Sequence, residues 1–244
     1  MKDNFSQQAA AYAVYRPQYP AELFDYITGF VKEKQHAWDC GTGNGQTARE
    51  LSKYFNTVFA TEISQKQIDN AYRCDNIIYS LQPAEKTGLA DKSIDLVTVS
   101  QALHWFDFEK FYAEVNRVAK PGAVIAVWTY SLLRITPVID ALVEDYHFNT
   151  LGNYWDAERK YVDDHYTGIP FPFDEITTPS FEIKLYWTLA ELEGYFYTWS
   201  ALQKFTAANN YSPVDALMEQ IKNVWGADEE KAIIFPVHLR LGRI

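Results

Sequence analysis

Three glycines at alternate positions, Gly41, Gly43 and Gly45, stand directly behind an apolar run ending in Asp39, in the stretch AWDCGTGNGQTARE. A helix there would prefer alanine, and a strand almost any larger residue. The missing side chains therefore suit a tight turn with a ligand lying almost on the backbone. A dinucleotide turn reads GxGxxG and sets pyrophosphate on the following helix. The pattern here misses that spacing by one residue, and the GK[ST] of a phosphate loop is absent. Glu62 closes the next apolar stretch, TVFATE, 17 residues beyond Gly45. A carboxylate at that point accepts hydrogen bonds from both hydroxyls of a ribose. Nicotinamide enzymes share this acid, so an oxidoreductase on a similar sheet is a rival, disfavoured by the glycine spacing.

Other residues bear chemistry with less pattern around them. His104, in ALHWFD behind an apolar strand, is either a general base or substrate contact, or a hydrogen-bonded structural histidine. Arg16, in YRPQYP, offers a cationic fork for a carboxylate. Trp105 and Trp128 suit a pocket wall or the core, and either could turn a π-face to a cation. Tyr12, Tyr15 and Tyr19 suit a lid over the pocket. Cys40 reads as a small core residue with no neighbouring base. No cluster of His, Cys, Asp and Glu has metal-ligand spacing, so no metal is expected.

The elements that would position these residues alternate. The segment 21–33 puts Leu23, Ile27, Phe30 and Val31 on one helical face behind Pro20. HAWDCG then reads as a strand, TARELSKYF as a helix and TVFATE as a strand. Ser64 and Gln67 suit a capping box for QKQIDNAYR. NIIYSLQ and IDLVTVSQAL read as strands, the second buried on both faces. DFEKFYAEVNRVAK is an amphipathic helix with Asp107 as its cap, and KPG turns the chain into AVIAVW. This order implies right-handed crossovers and a doubly wound, mostly parallel sheet of seven strands with helices on both faces. Residues 129–180 lose the rhythm, are rich in aromatics and read as a lid insertion, with GIPFPFDEITTP as a loop. FEIKLYW alternates as a strand, Thr188 and Glu191 form a second capping box, and AIIFPVHLRLGRI is a last strand in which Pro236 suggests a bulge. One α/β domain over 1–244 results: an N-terminal lid and first helix (1–35), a core (36–128), the insertion, and completing strands and helices (181–244).

Bulk properties bound the function. A length of 244 residues suits one domain with a full core. A net charge of −10 argues against nucleic acid and anionic membrane as partners, which leaves a small molecule. No apolar run reaches a membrane span, the first residues lack a signal-peptide order, and Cys40 and Cys74 give no disulfide framework. A cytoplasmic protein is expected. Oligomeric state is not encoded in any feature of the chain.

The segments FSQQAAAYAVYRPQYP, WDCGTGNGQ, ATEIS, AEKTGLADKSIDLVTVSQALHWFD and RVAKPGAVIAVW together resemble the type 11 class I S-adenosylmethionine-dependent methyltransferases. Within these the sequence is similar to the trans-aconitate methyltransferase group. The resemblance covers about residues 5–130 and returns at the final strands. It implies a Rossmann-like fold, S-adenosylmethionine as cofactor, and methyl transfer to a small molecule, with O-methylation of a carboxylic acid favoured. It further implies that Tyr12 and the Gly41–Gly45 loop contact the cofactor, that Asp39 holds its ammonium group directly or through water, and that Glu62 binds the ribose. Ala84 and Glu85 would lie beside the adenine, and Gln101 near the methionine end. His104 and Trp105 would face the acceptor, with Arg16 or Arg134 to position an acid. Two alternatives stay open at this point: a hydroxyl or amine acceptor with His104 as general base, and a protein that binds the cofactor without turnover.

Overall fold

The computed structural model describes residues 17–244. Its centre is an eight-stranded sheet. Strands β1 (His36–Cys40), β2 (Thr57–Glu62), β3 (Ile77–Leu81), β4 (Ile94–Ser100) and β5 (Ala119–Tyr130) run parallel in the order 3-2-1-4-5. The chain reverses direction at β1, between β2 and β4, which makes the carboxyl end of β1 the switch point of the sheet. β8 (Lys231–Arg243) runs antiparallel against β5, and its other edge carries β6 (Asp174–Ile176) and β7 (Phe181–Trp187).

Side chains alternate across this sheet, and each face builds its own core. Ala37, Val58, Leu96, Ala126 and Trp128 point to one side, against α1 (Ala21–Gly29) and α2 (Gln46–Leu51). The same side takes α5 (Pro137–Asp145), α7 (Leu189–Tyr197), α8 (Ser200–Asn209) and α9 (Val214–Trp225). Trp38, Cys40, Val97, Val99 and Val127 point to the other, against α4 (Phe108–Val118) and the segment 161–173, which contains the end of α6 (Arg159–Asp163). Strands covered on both faces carry continuous apolar runs, and β4 is buried along Ile94–Val99. No helix among the described residues is long and apolar enough to cross a membrane.

Several sequence expectations need correction. The sheet has eight strands rather than seven, because Asp174–Ile176 of the expected loop pairs with the end of β8. The partners are Asp174 with Arg243, Glu175 with Gly242 and Ile176 with Leu241. Ser64 precedes α3 (Gln65–Asp69) without a side-chain cap, and its backbone N–H, which a capping box would give to Gln67, donates to Glu62 instead. Pro236 causes no bulge: it pairs in register with Glu182, and its carbonyl accepts from Ser131, just past the end of β5. Both backbone groups of a strand residue face one edge, so the missing N–H falls where the β5 partner has already stopped.

The caps at Asp107 and at Thr188 with Glu191 form as expected. The stretch 129–180 is more ordered than its weak periodicity implied. Thr136 caps α5 with Pro137 in its first turn, a start signal that was present in the sequence. Tyr130 is the residue of this stretch that reaches the cavity described below, among the described residues. Most of its apolar side chains instead enter the two cores.

Candidate active site

The glycine loop leaves β1 at the switch point and is held from three sides. Asp39 is fully buried beneath it, with one carboxylate oxygen accepting from Thr42 Oγ1 at 2.5 Å and the other from Thr98 Oγ1 at 2.9 Å. The backbone N–H groups of Gly41 and Thr42 both donate to the Thr61 carbonyl in β2. Gly43 N donates to Glu62 Oε2 at 3.0 Å, while Ile63 N and Ser64 N donate to Oε1. Burial pushes the Asp39 carboxyl up to about 6, against the opposing pull of the two threonine hydroxyls.

The three glycines differ in what they make room for. All have positive φ, +67° at Gly41, +57° at Gly43 and +82° at Gly45. A Cβ at Gly41 would meet Ala102 at 2.8 Å, and one at Gly45 would run into the Tyr79 hydroxyl. At Gly43 none of the described residues lies within 4 Å. Gly41 and Gly45 therefore admit the protein's own packing, and Gly43 alone of the three faces space left open by the described residues.

That space is a cleft of about 910 Å³, counting its open mouth. Its floor is the loop, with Gly41, Thr42, Gly43 and Asn44, and one end holds Glu62, Ser64 and Gln67. The other end is walled by Tyr19, Gln101, Trp105, Phe106 and Tyr130. Glu62 keeps lone-pair capacity beyond its three backbone donors, as a ribose contact requires. Among the described residues, no His, Lys, Arg, Asp or Cys lines this cleft.

The structure thus brings Gly41, Gly43, Glu62, Gln101 and Trp105 together and leaves other expected site residues outside the wall. Gly45 caps α2 in a left-handed conformation, with its own packing against Tyr79. Asp39 spends its oxygens on Thr42 and Thr98, so it shapes the loop from below and presents no carboxylate face to the cleft. Ala84 is buried in the core on the α4 side, and Glu85 accepts from the backbone N–H of Asp107. His104 is buried, with Nδ1 at 2.9 Å from the Tyr166 hydroxyl, and burial pushes its pKa down to about 3. Trp128 is fully buried under the cleft, edge-on to Tyr19, which does line it. Arg134 is ion-paired with Glu144 at 2.6 Å. Tyr12, Tyr15 and Arg16 lie outside the described residues.

Sequence reasoning missed Thr42, Thr98, Tyr130 and Tyr166. Thr42 sits three residues from Asp39 and was open to inference as a loop donor. The others come from strands or segments far along the chain, and nothing in their local sequence marks them. Among the described residues no group of three or more His, Cys, Asp or Glu is placed to hold a metal ion.

A doubly wound sheet with a glycine loop at its switch point and an acid ending the second strand defines a nucleoside-cofactor-binding α/β protein. The methyltransferase domain family matches residues 38–127, the segment carrying that loop and acid. A methyltransferase-family protein of Dictyostelium discoideum is 35% identical over 249 residues, covering 99% of this chain and 95% of its own. The structure of a type II methyltransferase-family protein from Anaeromyxobacter dehalogenans superposes with a TM-score of 0.88 at 36% identity, over 94% of this chain and 98% of that one. A structure from an antibiotic-pathway methyltransferase-family protein of Anabaena variabilis shares the fold, with a TM-score of 0.53 at 17% identity over 91% of this chain and 98% of that one. The chain belongs to the class I S-adenosylmethionine-dependent methyltransferases, and S-adenosylmethionine is its cofactor. The open space over Gly43 and the spare acceptor capacity of Glu62 fit that cofactor.

Three outcomes follow from this geometry. Glu62→Ala is expected to lose about 2–4 kcal/mol of S-adenosylmethionine affinity by calorimetry. Gly43→Val should likewise fail to bind; melting curves run in parallel separate lost binding from lost folding, and normal affinity in a folded variant would reduce the glycine to a turn residue. The third outcome concerns pH. An acid whose folded pKa lies above its unfolded value holds more protons when folded, so stability falls as pH rises from about 4 to about 6. Asp39→Asn removes this dependence, and its urea-unfolding stability relative to wild type should rise by on the order of 3 kcal/mol between pH 4 and pH 7.

Proposed function

We propose that this protein transfers a methyl group to a small molecule, with a carboxylate as the acceptor. The observation that carries the reading is the wall of the cleft: among the described residues its one carboxylate, Glu62, is held by three backbone N–H donors, and no His, Lys, Asp or Cys stands there to take a proton. A carboxylate is already ionised at neutral pH and needs no base, unlike a hydroxyl or an ammonium group. His104 supports the same conclusion, because it faces Tyr166 and its depressed pKa makes it a weak base. When bound, S-adenosylmethionine supplies a methyl group on a sulfonium, already activated for displacement.

The chain's own residues then have to bind, orient and exclude water. Glu62 anchors the ribose end, and the loop at Gly43 lets the cofactor lie against the backbone. Tyr19, Trp105 and Tyr130 wall the opposite end with aromatic surface, which favours a dry, closely held encounter. Arg16 directly precedes Pro17, which lines the cleft, and is the candidate clamp for an acid. The similarity to the trans-aconitate methyltransferase group favours the same acceptor class.

The test is transfer of labelled methyl from S-adenosylmethionine to a panel of small acids, phenols and amines. Acids are expected to turn over with kcat/KM level across about pH 6–8, and Arg16→Ala should raise KM for the acid by roughly tenfold or more. Turnover of phenols or amines instead, falling about tenfold per pH unit on the acid side, would overturn the carboxylate reading.

A further inference from the structure

Two glutamines share the short helix α3, and their surroundings are the reverse of what their chemistry favours. Gln65 is exposed, yet its amide donates to Asp69 Oδ1 at 2.8 Å. Gln67 is only 4% exposed, and its side chain makes no hydrogen bond among the described residues. Buried amides are normally partnered, because the water they lose is otherwise not replaced.

Neither capping nor packing accounts for this amide. Its spacing from Ser64 gives Gln67 the place of a capping-box residue, whose side chain would take the Ser64 N–H. That N–H donates to Glu62 Oε1 instead, at 3.0 Å, so the helix start leaves the Gln67 amide unengaged. Packing alone would be met by hydrocarbon, as it is at the adjacent buried position, Ile68. What the Gln67 side chain does face is the cleft, at the end that holds Glu62.

Glu62 by itself serves only half of what a ribose edge requires. A carboxylate only accepts, so it can take hydroxyl protons from the sugar but offers nothing to the hydroxyl oxygens. The backbone N–H groups of Gly43, Ile63 and Ser64 do not fill that role, since all of them donate to the carboxylate itself. Those of Gly41 and Thr42 are spent on the Thr61 carbonyl, and the Thr42 hydroxyl on Asp39. Gln67 brings amide protons to the same end of the cleft, with no acceptor among the described residues.

We propose that Gln67 is a cofactor-binding residue: its amide donates to a ribose hydroxyl whose proton Glu62 takes. Acid and amide then hold one edge of the sugar as acceptor and donor, and both select a ribonucleoside over a deoxyribonucleoside. The inference rests on S-adenosylmethionine as the cofactor and not on the identity of the methyl acceptor.

The test is calorimetry of the full chain with S-adenosylhomocysteine and with its 2′-deoxy and 3′-deoxy analogues. Wild type is compared with Gln67→Met, which keeps the length of the side chain and removes the amide. Losing a hydroxyl removes its Glu62 contact equally in both proteins, so that part cancels in the comparison. Gln67→Met should weaken S-adenosylhomocysteine by about threefold to tenfold. The weakening should vanish for at least one deoxy analogue, the one lacking the hydroxyl that the amide meets. The melting temperature without ligand should hold, since no hydrogen bond within the described residues is lost. An equal loss on all three ligands overturns the proposal, whether the amide then meets the base or only supports the fold. Unchanged affinity for S-adenosylhomocysteine overturns it as well. Should Gln67→Met not fold, Gln67→Leu removes the same amide and is read on the same ligands.

Discussion

Asp39 keeps its two carboxylate oxygens on hydroxyls from different parts of the chain, Thr42 in the glycine loop and Thr98 in β4, while closed off from solvent. Burying an acid is costly unless donors meet it, and the raised pKa shows that the donors only partly offset the loss of water. The gain is geometric. A loop of left-handed residues has no ladder of its own, and this contact ties it to the strand beside β1. The Thr61 carbonyl and the Glu62 carboxylate tie it to the strand on the other side. The open position over Gly43 exists because the backbone around it is fixed from both neighbours.

Glu62 shows how little material the site uses. The same carboxylate steadies the loop at Gly43 and satisfies the N–H groups of Ile63 and Ser64 at the start of α3. It also stands in the wall of the cleft, where ribose hydroxyls are expected. Loop shape and ligand binding are therefore coupled through one side chain, and changes there act on both.

What the sequence disclosed followed the range of its signals. Alternate glycines, a strand-ending acid and apolar periodicity are local, and they revealed the parallel sheet, the loop and Glu62. The Asp107 and Thr188 caps are equally local, each depending on residues within one helical turn. Contacts between distant segments were not legible. Nothing around Tyr166 announces that it lies against His104, and nothing around Thr98 marks it as a donor to Asp39. The Ser64 box failed for a local reason instead: Glu62, two residues earlier, took the N–H the motif needed. The three-residue β6 was too short to show a period and exists because β8 offers it an edge.

β8 is also the last of the strands to be made, though it lies inside the sheet. It pairs with β5 through contacts such as Val124 with Arg243, which close a very long stretch of chain. Pairings of that span form slowly, since loop closure comes before any compensating contact. While a ribosome is still producing residues 131–230, the edge of β5 has no partner and Trp128 lacks part of its eventual cover. The parallel half, with its loop and Glu62, has all its strands in hand by Tyr130. Assembly in the cell thus divides into a cofactor half that can organise early and an antiparallel half that waits for the final strand, with an apolar edge exposed to chaperones or to misassociation in between.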